Sequence, residues 1–428
     1  MKSKKTVSFI TLGCKLNFSE TSYISEQFKE AGYIKVDSKE SDIFVINTCT
    51  VTEIANKKGK QIIKKRIKDN PNAKIIVVGC YSQLKPREVA EIKGVDLILG
   101  SNNKFDIIKE LDKLEDNISP KIVVDNNQIF TPTYSYGDRT RSFLKVQDGC
   151  DYHCSYCTIP KARGNSRSNS VIKTVEKAQE VLNKGVKEII LTGVNIGDFG
   201  QKTDEKFIDL IKELDNLNKL ERLRISSIEP NLLSEQIIEF VSKSKTIVPH
   251  FHIPLQCGTD NLLHLMRRRY TTSLYEQRVR KIKSIMPDAC IVADVIVGVP
   301  GETIEEFEKS CDFIKKLDIS FIHVFTYSER ENTIACRMSN KIDVIEKKRR
   351  SEIMHNIAED KLNAFYKQHI GTVREVLFEA QKHNSVMYGF TDNYIKVEIP
   401  YDSLLVNEIK KVHLKYITKN STIMGEIV

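Results

Sequence analysis

Residues 150 to 157 read Cys150-Asp151-Tyr152-His153-Cys154-Ser155-Tyr156-Cys157, three thiols in C-x3-C-x2-C spacing. Soft thiolates this close together select iron–sulfur clusters or zinc. Zinc sites and ordinary ferredoxin clusters take four protein ligands, and the next cysteine along, Cys257, is a hundred residues away. A cluster held by three cysteines leaves one iron open to chelate a small molecule and pass it an electron. The competing reading, three incidental buried cysteines, fits poorly, because clustered cysteines in an intracellular chain usually mean metal.

Length and composition bound the frame around this loop. A chain of 428 residues holds two or three domains, each able to bury a core without staples. Its ten cysteines are too few and too unevenly placed for a disulfide scaffold. The start, MKSKKTVSFITLGC, has no apolar stretch ahead of a small-residue cleavage site, so a reducing cytoplasm is the expected compartment. No apolar run is long enough to span a membrane. Lys and Arg number 66 against 57 Asp and Glu, a net +9 whose sign suits a polyanionic partner without establishing one.

A second cysteine pattern lies upstream. Three apolar, β-branched runs each finish in a cysteine: Val7 to Cys14, Asp42 to Cys49 and Lys74 to Cys80. Each reads as a buried strand followed by a turn. Helical patterns at Glu20 to Gly32, Val51 to Asp69 and Lys85 to Ile92 separate or follow them, which implies a parallel sheet. The strand carboxyl ends of such a sheet share one edge, so Cys14, Cys49 and Cys80 should meet there, although 35 and 31 residues separate them in sequence. Small core hydrophobes are the alternative for any one of these cysteines; three such coincidences are harder to accept.

Further along, strand-like runs at Glu188 to Asn195, Leu223 to Pro230, His252 to Gly258 and Ile291 to Thr303 alternate with helices, which suits a barrel-like parallel sheet with chemistry at the strand carboxyl ends. After Gly371 five short alternating runs suggest a small β-barrel: Val373 to Phe378, Val386 to Thr391, Tyr394 to Ile399, Lys411 to Thr418 and Ile423 to Val428. From Gly371 onward seven basic residues balance seven acidic ones, so the whole excess charge lies upstream.

The C-x3-C-x2-C loop, with the aromatic Tyr156 before its last cysteine, resembles the signature of the radical S-adenosylmethionine superfamily. That resemblance implies a 4Fe-4S cluster on Cys150, Cys154 and Cys157, whose open iron chelates S-adenosylmethionine for cleavage to a 5′-deoxyadenosyl radical. The blocks Thr11-Leu12-Gly13-Cys14-Lys15-Leu16-Asn17 with Glu20, Asn47-Thr48-Cys49-Thr50-Val51-Thr52 and Gly79-Cys80-Tyr81-Ser82-Gln83 sharpen it to the methylthiotransferases. The block Arg163-Gly164-Asn165-Ser166-Arg167-Ser168 is similar to that family's continuation after the cluster loop.

Over essentially the whole chain the family resemblance implies an α/β protein in three parts. Residues 1–120 would be a parallel-sheet α/β domain with an auxiliary 4Fe-4S cluster on Cys14, Cys49 and Cys80, from which sulfur is delivered. Residues 121–138 would be a linker, residues 139–369 a partial (βα)6 barrel, and residues 370–428 an all-β TRAM barrel that binds RNA. The implied cofactor set is Tyr156, Thr192, Gly193, Asn195, Ser226, Gly298, Pro300 and Gly301. No acid–base pair beyond the cluster ligands is needed, since clusters and cofactor carry the hard chemistry.

Two departures from the family pattern concern local geometry. Cys257 stands where Ser is common, read as a neutral variation with no cluster role, and Tyr327 to Thr333 lacks the glycine usual before the Thr. The first-cysteine motif Gly13-Cys14-Lys15-Leu16-Asn17 and Cys154-Ser155-Tyr156-Cys157-Thr158-Ile159-Pro160 are similar to the subgroup acting on N6-threonylcarbamoyladenosine next to the tRNA anticodon. Relatives acting on isopentenyladenosine show Gly-Cys-Gln-Met-Asn there, and those acting on ribosomal protein S12 show Leu-Gly-Cys-Pro-Lys-Asn. The resemblance thus implies tRNA, an electron donor of flavodoxin or ferredoxin type and a sulfur source as partners. Turnover would distinguish such an enzyme from an iron–sulfur RNA-binding protein without activity.

Candidate RNA contacts are Arg267, Arg268 and Arg269 beside Tyr270, since Arg forks suit phosphates, and Lys396, Lys410 and Lys411 on the final barrel. Lys415 and the aromatics Tyr388, Phe390 and Tyr394 would complete the latter patch. The lysine-rich helix from Lys57 to Lys68 is equally readable as a solvated face, and Lys347 to Arg350 reads as solvent-facing.

Overall fold

A computed structural model of the chain describes residues 5–114, 119–126, 128–137 and 140–428. Its N-terminal unit is a six-stranded, wholly parallel sheet in the order Ile34–Lys35, Thr6–Thr11, Ile43–Thr48, Lys74–Gly79, Leu97–Leu99, Lys121–Val123. Its inner strands are continuous runs of Ile, Val and Phe because both faces are covered. Ile63 of the helix Glu53–Asp69, together with Tyr81, shares one core with Phe44, Ile46 and Val77. Ile24 and Phe28 of the helix Lys15–Glu30, with Ile107, share the other with Val45, Ile76 and Val78.

The sixth strand corrects the expected linker. Lys121–Val123 pairs with Leu97–Leu99, so the sheet extends into the stretch read as a connection. Residues 127, 138 and 139, which include the expected start of the barrel, lie outside the described residues.

The central unit is six parallel strands in two groups of three. Arg222–Ile225, Glu188–Thr192 and Ser142–Lys145 form one group; His250–His252, Cys290–Val297 and Phe321–Thr326 form the other. Single parallel bridges, Leu223 to Ile247 and Ser227 to His252, join the groups into the expected partial barrel. Alternation along Cys290–Val297 sends Ile291, Ala293, Val295 and Val297 outward onto the surrounding helices, where Phe307 and Ile314 of Ile304–Lys316 meet them. The intervening Val292 turns to a core it shares with Phe365 and Tyr366, and Asp294 turns to His252 and His323.

The long helix Val344–His369 packs on the last barrel strand and leads into five strands that close on themselves in the order Val373–His383, Val386–Thr391, Lys396–Pro400, Ile423–Ile427, Ile409–Ile417. Closure removes exposed strand edges. This barrel is welded to the centre: its core residues Val376, Phe378 and Val397 run into Phe365, Tyr366, Cys290 and Val292. Arg222 donates to the Phe390 carbonyl at 3.0 Å and Arg224 to that of Asp392 at 3.0 Å. No helix among the described residues is long and apolar enough to cross a membrane.

Candidate cluster and cofactor site

Register brings the three strand-end cysteines of the N-terminal sheet together. Thr11 pairs with Asn47, and Thr48 with Gly79, so Cys14, Cys49 and Cys80 follow neighbouring strand ends. Two glycines permit the approach. A Cβ on Gly13, at φ +99°, would lie 2.6 Å from the Cβ of Cys49, and one on Gly79, at φ +103°, would lie 2.5 Å from Asn47 Oδ1. Asn17 staples the edge by donating to the carbonyls of Leu12 at 2.7 Å and Thr48 at 3.2 Å.

Burial, followed by the charges of Cys80 and Cys14, pushes the Cys49 thiol up to about 12. Burial also raises Cys14, where Arg163 opposes it. Three thiolates this close cannot share a site without a cation, which is the electrostatic demand a metal cluster meets.

In the second triplet the loop wraps around its own sulfurs. The N–H of Tyr152 points to Cys150 Sγ and that of Ile159 to Cys157 Sγ, each at 3.4 Å, and Arg268 Nη1 lies 3.0 Å from Cys154 Sγ. Burial pushes Cys150 and Cys157 up to about 12, reinforced by the neighbouring thiols. N–H and guanidinium donors aimed at sulfur stabilise the anionic form, so this loop fits three thiolates on a cluster.

A buried charge network fuses the two triplets. The helix Ile159–Arg163, which follows Cys157, packs on the helix Cys80–Leu84. Arg163 donates to Asn17 Oδ1 at 2.7 Å, to both oxygens of Glu20 at 3.0 and 3.1 Å, and to Asp148 at 2.9 Å. Lys104 and Lys145 also hold Glu20, at 2.5 and 3.0 Å, while Lys145 and Arg167 reach Asp148 at 2.7 and 3.1 Å. Desolvation is the largest influence on Glu20 and pushes its pKa up; Arg163, Lys104 and Lys145 outweigh it and hold the carboxyl well below the usual range.

The expected cofactor residues line the adjoining strand ends. Gln147 Oε1 accepts from the N–H groups of Val194 and Asn195, each at 2.9 Å, and fixes the turn after Glu188–Thr192. A Cβ on Gly193 would lie 2.8 Å from that oxygen. Thr192 Oγ1 and Asn195 Oδ1 are buried with no hydrogen-bond partner among the described residues. Such orphaned atoms fit the amino and carboxyl groups of a bound small molecule.

Ser226 is buried one strand over, and Tyr156 meets Val299 and Pro300 at a crevice of about 10 Å³. Gly298, at φ +80°, and Gly301, at φ +90°, shape the same turn. The Gly298 N–H donates to Glu302 Oε2 at 2.6 Å, while the stem of Lys347 closes its other side. Cys257 is buried, with its sulfur 3.7 Å from the Thr259 carbonyl.

Cys14 is reached by solvent although protein surrounds its thiol, and half-buried Lys15 projects toward Arg141, Glu188, Arg224 and Asp294 of the barrel. Burial, then Arg141 and Arg224, draws Lys15 down to about 8. Asp294 Oδ1 is shared by His252 Nε2 and His323 Nδ1, each at 2.9 Å.

The basic residues split in ways their sequence did not show. Arg268 is corrected from a surface phosphate contact to a buried one: its side chain is 4 % exposed, paired with Glu229 and turned to Cys154. Arg267 is exposed, and Arg269 lies 4.0 Å over the Tyr152 ring. Tyr270 is buried and donates to the Pro254 and Leu255 carbonyls. Arg350, read as solvent-facing, is buried against Glu302 at 2.8 Å and Glu346 at 2.7 Å.

On the last barrel Phe390 and Tyr394 stack together and carry Arg141 at 4.2 and 5.8 Å, so these aromatics face the central unit rather than solvent. Lys396 lies 3.8 Å over Tyr388, Lys410 is half-buried, and Lys411 is exposed. Sequence reasoning missed Lys104, Lys145, Asp148, Gln147, Glu229 and Asp294 as members of the site. Their partners lie on other strands, and only the two cysteine patterns pointed to the places where they gather.

Parallel half-barrel, three-thiol loop and orphaned polar turn together define a radical S-adenosylmethionine protein, and residues 144–314 match the family described as Radical SAM superfamily. Residues 6–100 match Uncharacterized protein family UPF0004. The chain belongs to the tRNA methylthiotransferase family. It is 38% identical to Threonylcarbamoyladenosine tRNA methylthiotransferase MtaB of Bacillus subtilis, over 96% of this chain and 93% of that one.

Its identity to the protein of the same name from Thermotoga maritima is 35%, over 98% and 96%. A tRNA-2-methylthio-N(6)-dimethylallyladenosine synthase of Lachnoclostridium phytofermentans is 30% identical over 99% and 95%. In fold the chain is similar to the radical S-adenosylmethionine methyltransferase TsrM of Kitasatospora setae, with TM-score 0.56, 14% identity and coverage of 75% and 73%. Membership in the superfamily brings S-adenosylmethionine and a 4Fe-4S cluster as cofactors.

Proposed function

We propose that the chain replaces the C2 hydrogen of N6-threonylcarbamoyladenosine, at position 37 beside the tRNA anticodon, with a methylthio group. The observation that carries this reading is the welding of two cysteine triplets into one site: the helix after Cys157 packs on the helix that begins at Cys80, with Arg163 locked to Glu20 between them. A radical-generating loop and a sulfur-delivering sheet edge need this proximity. The relatives named for threonylcarbamoyladenosine support the choice of nucleoside.

In this reading Cys150, Cys154 and Cys157 hold the cluster that binds S-adenosylmethionine, and Cys14, Cys49 and Cys80 hold a second 4Fe-4S cluster. Bound there, these groups supply radical formation, sulfur and methyl, one S-adenosylmethionine donating methyl and another the radical. The chain's own residues orient and enclose. Thr192, Gly193 and Asn195 receive the methionyl end, while Tyr156, Ser226, Gly298, Pro300 and Gly301 shape the nucleoside end. Arg268 holds positive charge against Cys154, and the Glu20–Arg163 network keeps the two walls in register.

Exposed Arg267 and Arg269, with Lys396, Lys410 and Lys411, are the proposed RNA contacts. An electron donor of flavodoxin or ferredoxin type, a sulfur source and a cytoplasmic setting complete the proposal. The test is mass spectrometry of tRNA nucleosides from cells with and without the gene. Loss of 2-methylthio-N6-threonylcarbamoyladenosine alone supports the reading. Loss of the dimethylallyl counterpart, of the modification on ribosomal protein S12, or of no modification overturns it.

A further inference from the structure

Three side chains outside both cysteine triplets converge on one point from three neighbouring strands. His252 ends the strand His250–His252, Asp294 lies within Cys290–Val297 and His323 within Phe321–Thr326. Register puts them on one face: Asp294 pairs directly with His323, and His252 pairs with Val292, which shares the side of the sheet that Asp294 occupies. Asp294 Oδ1 lies 2.9 Å from His252 Nε2 and 2.9 Å from His323 Nδ1, and the three atoms all fall within 4.8 Å of one another. The two imidazoles meet at 74° and Phe321 abuts His323 at 85°, so the rings stand edge to face with a nitrogen of each turned to the same carboxylate.

The group is held in place before any ligand arrives. The N–H groups of Leu255 and Gln256 donate to the Asp294 carbonyl at 3.2 and 2.7 Å, which ties the segment after His252 to the strand that carries Asp294. Burial pushes the Asp294 carboxyl up; the hydrogen bonds from His252 and His323 outweigh it and hold the group below the ordinary carboxylate range, as an anion. Solvent still reaches all three side chains, which are 16%, 20% and 44% exposed, so an ion has a way in.

A borderline divalent ion such as zinc takes imidazole nitrogen at about 2.0–2.1 Å and carboxylate oxygen at about 2.0–2.2 Å, which sets neighbouring ligand atoms about 3 Å apart. Asp294 Oδ1 stands at that spacing from each imidazole. Two imidazoles and one carboxylate suit metals of the zinc class, in contrast to the thiolate sets of the two triplets and to the all-oxygen sets that magnesium and calcium prefer.

We propose that His252 Nε2, Asp294 Oδ1 and His323 Nδ1 bind one divalent transition-metal ion of the zinc class. Each imidazole keeps its proton on the other ring nitrogen, and three protein ligands leave a position open for water or another oxygen donor. The ion clamps three strands that run on into the segment of Cys257, the turn Gly298 to Gly301 and the stretch Tyr327 to Thr333.

The test uses the full chain with its iron–sulfur clusters reconstituted anaerobically, so that the triplet thiols are engaged, and zinc sulfate as the probe. Equilibrium dialysis with metal analysis is expected to find about one zinc per chain, and zinc-edge X-ray absorption to show nitrogen and oxygen neighbours at about 2.0–2.2 Å without sulfur at about 2.3 Å. His252→Gln, Asp294→Asn and His323→Gln are each expected to weaken zinc binding by more than about tenfold, since loss of even an outer partner of a metal ligand costs that much. Iron content and zinc-free melting temperature equal to the wild type's identify a folded variant, and the absorption spectrum of the wild type decides the ligand set without any variant. Zinc no higher than in a chelator-washed control, sulfur among its neighbours, or an affinity unchanged in the folded variants overturns the site.

Discussion

Arg163 grips both carboxylate oxygens of Glu20 from a helix 143 residues further along the chain, with the two side chains 1 % and 0 % exposed. Removing Arg163 takes away its bonds to Glu20, Asp148 and Asn17 in a site closed to water, although Lys104 and Lys145 stay on Glu20. Arg163→Ala is expected to destabilise the fold by about 3–5 kcal/mol. A double-mutant cycle with Glu20→Gln in urea melts should show the pair to be strongly coupled, with the double variant losing much less than the sum of the single losses. Additive losses would mean that the network is not cooperative.

The two cysteine triplets should bind and act separately. Anaerobic reconstitution is expected to yield about eight irons per chain, falling to about four when Cys14, Cys49 and Cys80 are all changed to Ala. Cys154→Ala is expected to abolish S-adenosylmethionine cleavage, whereas Cys49→Ala retains cleavage and loses sulfur insertion. Iron assay and 5′-deoxyadenosine release check both; unchanged iron in the triple variant contradicts the assignment.

Stability should decline on mild acidification through two buried histidines at the joint between the central unit and the last barrel. Burial, then Arg224 and Lys15, drives His250 well below the ordinary 6.5, and burial likewise lowers His369, whose Nε2 sits 3.0 Å from Asn393 Nδ2. A folded pKa below the unfolded one means that the unfolded chain takes up protons which the folded chain refuses. Stability is therefore full above pH 6.5 and falls as the pH drops below it, by up to about 1.4 kcal/mol per unit for each histidine. Thermal melts between about pH 8 and about pH 5 should show this slope, and His369→Gln should flatten it.

Charge reversal at Lys410 and Lys411 is expected to weaken tRNA binding and reduce the salt slope by roughly two, about one released counterion per lost phosphate contact. Deleting the whole barrel is a poorer experiment than sequence alone suggests, because it would uncover Phe365, Tyr366, Cys290 and Val292. Equal affinities over a salt series would move RNA recognition to Arg267 and Arg269.

Periodicity and turn residues made much of this architecture readable. The strand Val386–Thr391 falls where alternation places it, and the three cysteine-terminated runs end at adjoining strand ends as a parallel sheet requires. Boundaries were less legible. The first helix begins at Lys15 rather than Glu20, because Cys14 serves as its N-cap without a side-chain bond and so leaves no signature.

Hardest to read were the buried charges. Arg268 and Arg350 lie in basic runs that look solvated, and only the fold reveals Glu229 and Glu302, 39 and 48 residues away, as their partners. The Glu20 network draws its cations from two domains, so no local pattern announces it.

Because the ribosome delivers the chain from its amino end, Glu20 and Lys104, 84 residues apart, both emerge ahead of the second domain. Lys145 and Arg163, the other cations on Glu20, follow only with the second domain. The nascent N-terminal sheet therefore waits with its sulfur edge half finished, and the segment that completes it also carries Cys150, Cys154 and Cys157. Synthesis itself thus sets an order in which neither thiol pocket reaches its final walls before both have left the ribosome.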